Sequence, residues 1–271
     1  MQVIYNSTPM PEEDVRLSLS NRAFQYNDGF FETIMMEGGR LRFWLDHQER
    51  MREAELALHL ELPDCFWDGT LEQQLLELTQ QNEVSLGRLK LQVWRAGSGL
   101  YTPQTNQVEW LATVQQAAPA PEEPIHIGVC QSVRSIHSAL SHVKGPQAPL
   151  YVLAGIEKQQ KQQDDMLLLS LQGYVSELIS SNIYWVKENV LYTPTLDTGC
   201  VNGVSRRNIL RYCLEQHMEV RELQCAVGQL AEAEAVFASN VAGLRAIASI
   251  DAVPLPTQHP LISQIRKALY L

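Results

Sequence analysis

Residues 117–124, "AAPAPEEP", constrain this chain more than any other stretch. Three prolines and two glutamates fall there with no helical or strand periodicity, so the segment suits neither a helix interior nor a central strand. It divides 271 residues into two parts, each long enough for a core of its own. The expected organisation is a domain over residues 1–116, a linker over 117–124 and a domain over 125–271.

Both parts mix strand and helix signals. Before the linker, "FFETIMM" and "RLRFW" read as strands joined by the hairpin turn "EGGR". Asp46, with Glu49 three residues on, reads as the cap of a helix over "HQERMREAELALHL" whose inward stripe is Met51, Ala54 and Leu58. "DGTLEQQLLELTQQ" is a second amphipathic helix, and "RLKLQVWRAG" and "VEWLATVQQ" are strands. After the linker, "IHIGVCQS", "MLLLS" and "IYWVKENVLYTP" are strands, the last a pair hinged at Glu188-Asn189. "APLYVLAGIEKQQKQQ" and "SRRNILRYCLEQH" are helices, and "VGQLAEAEAVFASN" reads as a helix running into a strand. The implied class is α+β or α/β in two domains.

With 45% hydrophobic and 19% charged residues, the chain has the make-up of a globular protein. A net charge of −10 offers no basic face to nucleic acid or an anionic membrane. No apolar run is long enough to span a bilayer. Five cysteines without a C-x-x-C pair, and seven histidines without an i, i+4 pair, predict neither a disulfide framework nor a metal site. "MQVIYNSTPMPEED" has no basic start and apolar run of a signal peptide, so the cytoplasm is the expected location.

Six lysines occur, and five have ordinary surface settings. Lys144, in "SHVKGPQAPLYVLAG", instead stands between a strand-like segment and an apolar helix. A desolvated lysine holds its proton weakly, and the neutral amine attacks carbonyl carbon to form a Schiff base. A lysine that snorkels to water or pairs with a carboxylate fits the same segment, so partners must decide. Glu177 and Asn182 in "GYVSELISSN" are one set: a carboxylate amid apolar neighbours either holds a pyridine nitrogen protonated or caps a turn. In "VNGVSRRNIL", Asn202-Gly203 makes a turn, and the amides of Val204 and Ser205 at a helix start suit a phosphate or plain capping. "FASNVAG" is a second small-residue turn over Ser239–Val241. Arg50, off the apolar stripe of its helix, either reaches a phosphate or lies solvated.

As an ordered set these segments resemble the class IV aminotransferases, the fold-type-IV pyridoxal-phosphate enzymes. That family includes branched-chain and D-amino-acid aminotransferases, R-selective amine transaminases and 4-amino-4-deoxychorismate lyases. "YNDGFFETI" is similar to the family's Y-G-D-G-x-F-E, and "LDHQERM" to E-H-x-x-R-L, which implies a phosphate-binding Arg50. The resemblance makes Lys144 the Schiff-base lysine and catalytic base. "GYVSELISSNIY" is similar to G-x-V-x-E-x-x-x-x-N-I-F, implying Glu177 at the pyridine nitrogen and Asn182 as a structural asparagine. "TP…GCVNGVSRRNIL" is similar to T-P…G-I-T-R, so Val204 and Ser205 fall on phosphate contacts, and Asn240 and Val241 on the last phosphate loop. The family implies a D-amino-acid aminotransferase-like architecture, a small N-terminal and a larger C-terminal domain with pyridoxal 5'-phosphate between them. It also implies a homodimer acting on a small amino or keto acid.

Within the family, "WRAGSGLYTP" resembles the lyase segment R-G-S-G-G-R-G-Y, with Arg95, Gly97, Gly99 and Tyr101 recognisable. Phe31, Arg95 and Tyr101 are the substrate-pocket candidates. The expected reaction is therefore the lyase's, pyruvate elimination giving 4-aminobenzoate for folate biosynthesis. A transaminase is the alternative. A cofactor-free binding module on the same fold is a third reading, which the presence of Lys144 and Glu177 argues against. Three departures stand out. Leu100 replaces the lyase's second arginine, and Val241 has no hydroxyl where the family has threonine. Pro149 replaces a tyrosine near the coenzyme's phenolic oxygen, for which Tyr151 is the nearest stand-in.

Overall fold

Alternation builds the first unit. In "LGRLKLQVWR" every second side chain, Leu89, Leu91 and Val93, turns inward while Arg88 and Lys90 face solvent. The structure, a computed structural model, describes residues 1–145 and 148–271. By packing, Met1–Ala118 with Val143–Pro146 form one unit, and Pro119–His142 with Gln147–Leu271 form another. Lys144 thus belongs to the first unit, although it follows the linker in sequence.

Unit 1 contains β1 (Gln2–Tyr5), β2 (Thr8–Pro11), α1 (Arg22–Tyr26), β3 (Gly29–Glu37), β4 (Arg40–Leu41), α2 (Trp44–Leu58), α3 (Thr70–Gln81), β5 (Leu86–Arg95) and β6 (Val108–Gln116). Its sheet runs β2-β1-β6-β5-β3-β4, antiparallel throughout. Phe30, Ile34 and Met36 of β3 meet Met51 and Ala54 of α2 and Leu71, Leu75 and Leu78 of α3 in one core. Each such buried Leu, Ile, Phe or Met side chain contributes about 1.5–3 kcal/mol.

Two expectations for α2 are corrected. Phe43, in the left-handed conformation, precedes the helix, so Asp46 is not its cap but lies in the first turn beside the positive helix end. The buried stripe is also wider than the apolar one, because His47 and Arg50 point inward beside Met51 and Ala54. "RLRFW" pairs as a strand only at Arg40–Leu41, since the chain turns into α2 at Phe43.

Unit 2 contains β7 (Ile125–Val129), α4 (Ala148–Lys161), β8 (Asp165–Leu169), β9 (Val175–Leu178), β10 (Asn182–Lys187), β11 (Val190–Pro194), α5 (Val204–Glu215), β12 (Val220–Leu223), β13 (Ala235–Asn240), β14 (Gly243–Ile250), β15 (Val253–Pro254) and α6 (Pro260–Leu269). The β10–β11 hairpin turns at Glu188 and Asn189, both with positive φ (52° and 58°), the geometry of a tight primed turn. Residues 227–232 form a short 3-10 turn where the sequence pattern predicts an α-helix.

Strands run β12-β11-β10-β13-β14-β7-β8-β9, and β9 pairs back onto β10 with Glu177 opposite Asn182. Strands β10, β13, β14, β7, β8 and β9 therefore close into a barrel. Ile127, Leu167, Leu178, Ile183, Val236 and Ile247 are in its core cluster. Helix α4 packs on β8, and α5 on β13.

Candidate active site

In unit 1, the main chain around Lys144 is held by β3 and the turn before it. The Phe31 N–H donates to the Lys144 carbonyl (2.9 Å), and Asn27 Nδ2 donates to the Gly145 carbonyl (2.9 Å). Gly145 has a φ of +139°, and a Cβ there would stand 3.1 Å from Phe30 Cα, so glycine is required for this close approach. Lys144 itself is half-buried, and its Nζ lies 5.1 Å from the centre of the Phe31 ring, as does that of Lys90. Phe31 thus presents its ring to two ammonium groups.

On the opposite face of β3, Glu32 points into the core and meets α2. Arg50 Nε donates to Glu32 Oε1 (2.8 Å), Arg50 Nη2 donates to Oε2, and His47 Nδ1 is 2.6 Å from Oε2. An ionised carboxylate only accepts, so the imidazole proton is assigned to Nδ1. Nε2 is then buried without a hydrogen-bond partner among the described residues. Burial alone would raise the Glu32 pKa, but the Arg50 charge and the His47 bond outweigh it and bring it to about 2. Burial lowers the His47 pKa; the Glu32 bond and charge oppose this, and the charges of Arg50 and Lys144 add to it. Arg50 is therefore not a solvated surface residue. Its position three residues after His47 puts both on the face that β3 covers.

In unit 2, the barrel closure gathers a second group. Glu177 is buried, its Oε1 accepting from the Tyr151 hydroxyl (2.7 Å) and its Oε2 from the Val201 N–H (3.0 Å). Across the β9–β10 pair, Asn182 Nδ2 donates to the Val201 carbonyl (2.8 Å). The two side chains grip Val201 from both ends and fix the loop that enters α5. A Cβ on Gly203 would stand 2.2 Å from Asn182 Oδ1, so this helix starts on a residue with no side chain to cap it. The amides of Val204 and Ser205 then lie at an uncapped, positive helix end whose first turn holds no acidic residue. Ser205 Oγ lies 3.1 Å from Ser239 Oγ, which lies 3.1 Å from the Tyr184 hydroxyl, a buried chain joining α5 to the end of β13. Asn240 Nδ2 donates to Ser181 Oγ (3.1 Å), and Asn240 Oδ1 accepts from the Ala242 N–H (2.9 Å), closing the turn around the buried Val241.

Within unit 2, a buried carboxylate and an uncapped helix end suit a protonated ring nitrogen and a phosphate. The family model described as "Amino-transferase class IV" matches residues 29–250. The chain belongs to the class IV aminotransferases. An aminodeoxychorismate lyase from Vibrio harveyi is 29% identical over 244 residues, 88% of each chain. A D-alanine aminotransferase from Bacillus licheniformis is 26% identical over 280 residues, 99% of this chain and 96% of its own. Among solved structures, an Escherichia coli branched-chain amino acid aminotransferase superposes with a TM-score of 0.89 at 19% identity, covering 99% of this chain and 93% of that one. This class IV aminotransferase therefore has the two-domain fold-type-IV architecture, and its coenzyme is pyridoxal 5'-phosphate. The uncapped Gly203 terminus and the buried Glu177 fit that coenzyme's phosphate and ring nitrogen.

The substrate-pocket candidates are not gathered in the same way. Arg95 is buried and spends its guanidinium on Asp28 Oδ2 (3.1 Å), the His59 carbonyl (3.2 Å) and Asn106 Oδ1 (2.6 Å). Tyr101 is 88% exposed, its ring 5.5 Å from that of Tyr26. No hydrogen bond or ring contact among the described residues joins Phe31, Arg95 and Tyr101. The sequence reading does not single out Glu32, His47 or the Tyr151–Glu177 pairing. Glu32 and His47 had a signal, since both lie inside the quoted "YNDGFFETI" and "LDHQERM" and at inward positions of their elements.

Proposed function

We propose that this class IV aminotransferase is a 4-amino-4-deoxychorismate lyase that splits its substrate into pyruvate and 4-aminobenzoate, in the cytoplasm and as a homodimer. The observation that carries the reading is the 29% identity to an aminodeoxychorismate lyase over 88% of both chains, supported by the lyase-like Arg95, Gly97, Gly99 and Tyr101 of "RAGSGLY". Bound pyridoxal phosphate supplies an electron sink for the substrate carbon that bears the amine. Lys144 would hold the coenzyme through its amine and, once the substrate's amine has displaced it, would take the proton from that carbon. Glu177 would pair with the ring nitrogen, and Asn182, through the Val201 carbonyl, would keep the 201–203 loop in place to receive the phosphate. The phosphate is held by Arg50, by the amides of Val204 and Ser205, and by the Asn240–Val241 turn. Once the proton leaves, the bond to the enolpyruvyl oxygen breaks, the ring becomes aromatic and the released enolpyruvate takes up a proton to become pyruvate. Phe31 lines the substrate side beside Lys144, while Arg95 braces the 96–106 loop that carries Tyr101. Residues 1–116 and 125–271 are the two functional domains, joined by 117–124. An apolar stripe on α4, Val152, Leu153 and Ile156, is 62%, 48% and 46% exposed and supports burial against a second copy.

The test is pyruvate release from 4-amino-4-deoxychorismate by coenzyme-loaded protein with no keto acid present. Release continuing over many turnovers is expected. None from fully loaded protein overturns the lyase. A transaminase is the second reading, supported by the alignment with a D-alanine aminotransferase over 99% of this chain. It predicts that an amino acid alone converts the bound coenzyme once and that a keto acid restores it.

A further inference from the structure

Tyr151 occupies the first turn of α4, seven residues after Lys144. Its hydroxyl is not left to approach a coenzyme oxygen, as a stand-in for the tyrosine missing at Pro149 would require. It donates to Glu177 Oε1 at 2.7 Å. The other oxygen of that carboxylate accepts from the Val201 N–H at 3.0 Å. One donor comes from α4 and the other from the loop entering α5, so the two fix the plane of the carboxylate from different elements. Burial raises the Tyr151 pKa strongly, with the Glu177 charge adding to it, so the phenol keeps its proton and stays a donor. Cys200, next to Val201, is pushed up to about 12 by burial and by the same carboxylate, so it does not ionise in competition.

We propose that Tyr151 is a positioning residue, which holds the Glu177 carboxylate in the one orientation that meets the ring nitrogen of the coenzyme. The proposal rests on the reading of Glu177 as the ring-nitrogen partner. A carboxylate held at both oxygens cannot swing about its last torsion, and a charge-assisted hydrogen bond of this length is among the stronger fixed contacts a side chain makes. The tyrosine therefore replaces rotational freedom of Glu177 with a set direction, and it does so from the helix that follows the catalytic lysine.

The experiment measures dissociation constants of pyridoxal 5'-phosphate and of its 1-deaza analogue, which lacks the ring nitrogen, on the apo-protein. The quantity read is their ratio, which isolates the nitrogen from phosphate and lysine contacts. In Tyr151→Phe the preference for the natural coenzyme should fall roughly tenfold, the size expected for one charge-assisted bond. In Glu177→Gln it should fall at least as far, and the double variant should fall no further than Glu177→Gln alone. 4-Aminophenylalanine placed at position 151 keeps a donor and should restore the ratio. An unchanged ratio in Tyr151→Phe, additive losses in the double variant, or failure of the amino analogue to restore it overturns the proposal while the Glu177 reading stands. An unchanged ratio in Glu177→Gln overturns both. Circular dichroism and the melting temperature check that the Phe variant folds, and Tyr151→Met takes its place if it does not.

Discussion

Lys144 is prepared by its backbone before its amine does anything. Two carbonyls bound from β3 and Asn27, and a glycine at positive φ against Phe30, leave the segment little freedom. Lys144→Ala should therefore leave the fold intact and abolish covalent attachment of pyridoxal phosphate. Borohydride reduction followed by peptide mapping checks this, and a labelled peptide around any other lysine contradicts it. Glu32 is the more dangerous residue to change. Glu32→Gln strands Arg50 and His47 in a buried site without their anion, and breaking one partner of such a pair costs about 3–5 kcal/mol. Urea denaturation reads the loss directly, and a change below about 1 kcal/mol would mean that the buried group is not charged as described.

Among elements, α5 shows how a helix end is left open by what it lacks. Gly203 gives no cap, and Asn182 occupies the space that any Cβ would take. Gly203→Ala must push Asn182 aside and move the first turn, which should weaken pyridoxal-phosphate binding about tenfold and cost about 1–3 kcal/mol of stability. Gly228 has nothing within 4 Å of its would-be Cβ, so Gly228→Ala is the control and should change stability by less than about 0.5 kcal/mol. Fluorescence titration of the two apo-proteins separates them. Equal affinities would show that the Gly203–Asn182 packing does not shape the anion site.

At the scale of the whole molecule, the buried group in unit 1 sets an acid limit. Glu32 has its pKa lowered from 4.5 to about 2, so the stability it contributes is full above 4.5 and is lost as pH falls towards 2. A shift of this size corresponds to about 3 kcal/mol. His47 has its pKa lowered from 6.5, so below 6.5 the unfolded chain takes up a proton that the folded one resists. Both effects have the same sign. Urea midpoints of the wild-type protein should be level above about pH 6.5 and fall progressively below it, with Glu32→Gln flattening the lower part of the curve. Midpoints that rise on acidification would contradict the assignment of both groups.

Much of this molecule can be read from local pattern. The inward alternation of β5 and the amphipathic pattern of α3 depend only on near neighbours, and they name their elements correctly. The motifs around Lys144, Glu177, Asn182 and the Gly203 turn are equally local, because each needs a particular residue type at a short spacing. Pairings across the fold are different in kind. Periodicity says that Arg50 and Tyr151 lie on a given side of a helix, but not what stands opposite. Sheet order decides that Arg50 meets Glu32, and barrel closure decides that Glu177 faces Asn182 and receives Tyr151. The sequence by itself determined the elements that local periodicity specifies, β5 and α3 among them, and the family to which its motifs belong. The tertiary structure alone decided which buried charge each of these residues answers to, since that depends on neighbours brought together from distant parts of the chain.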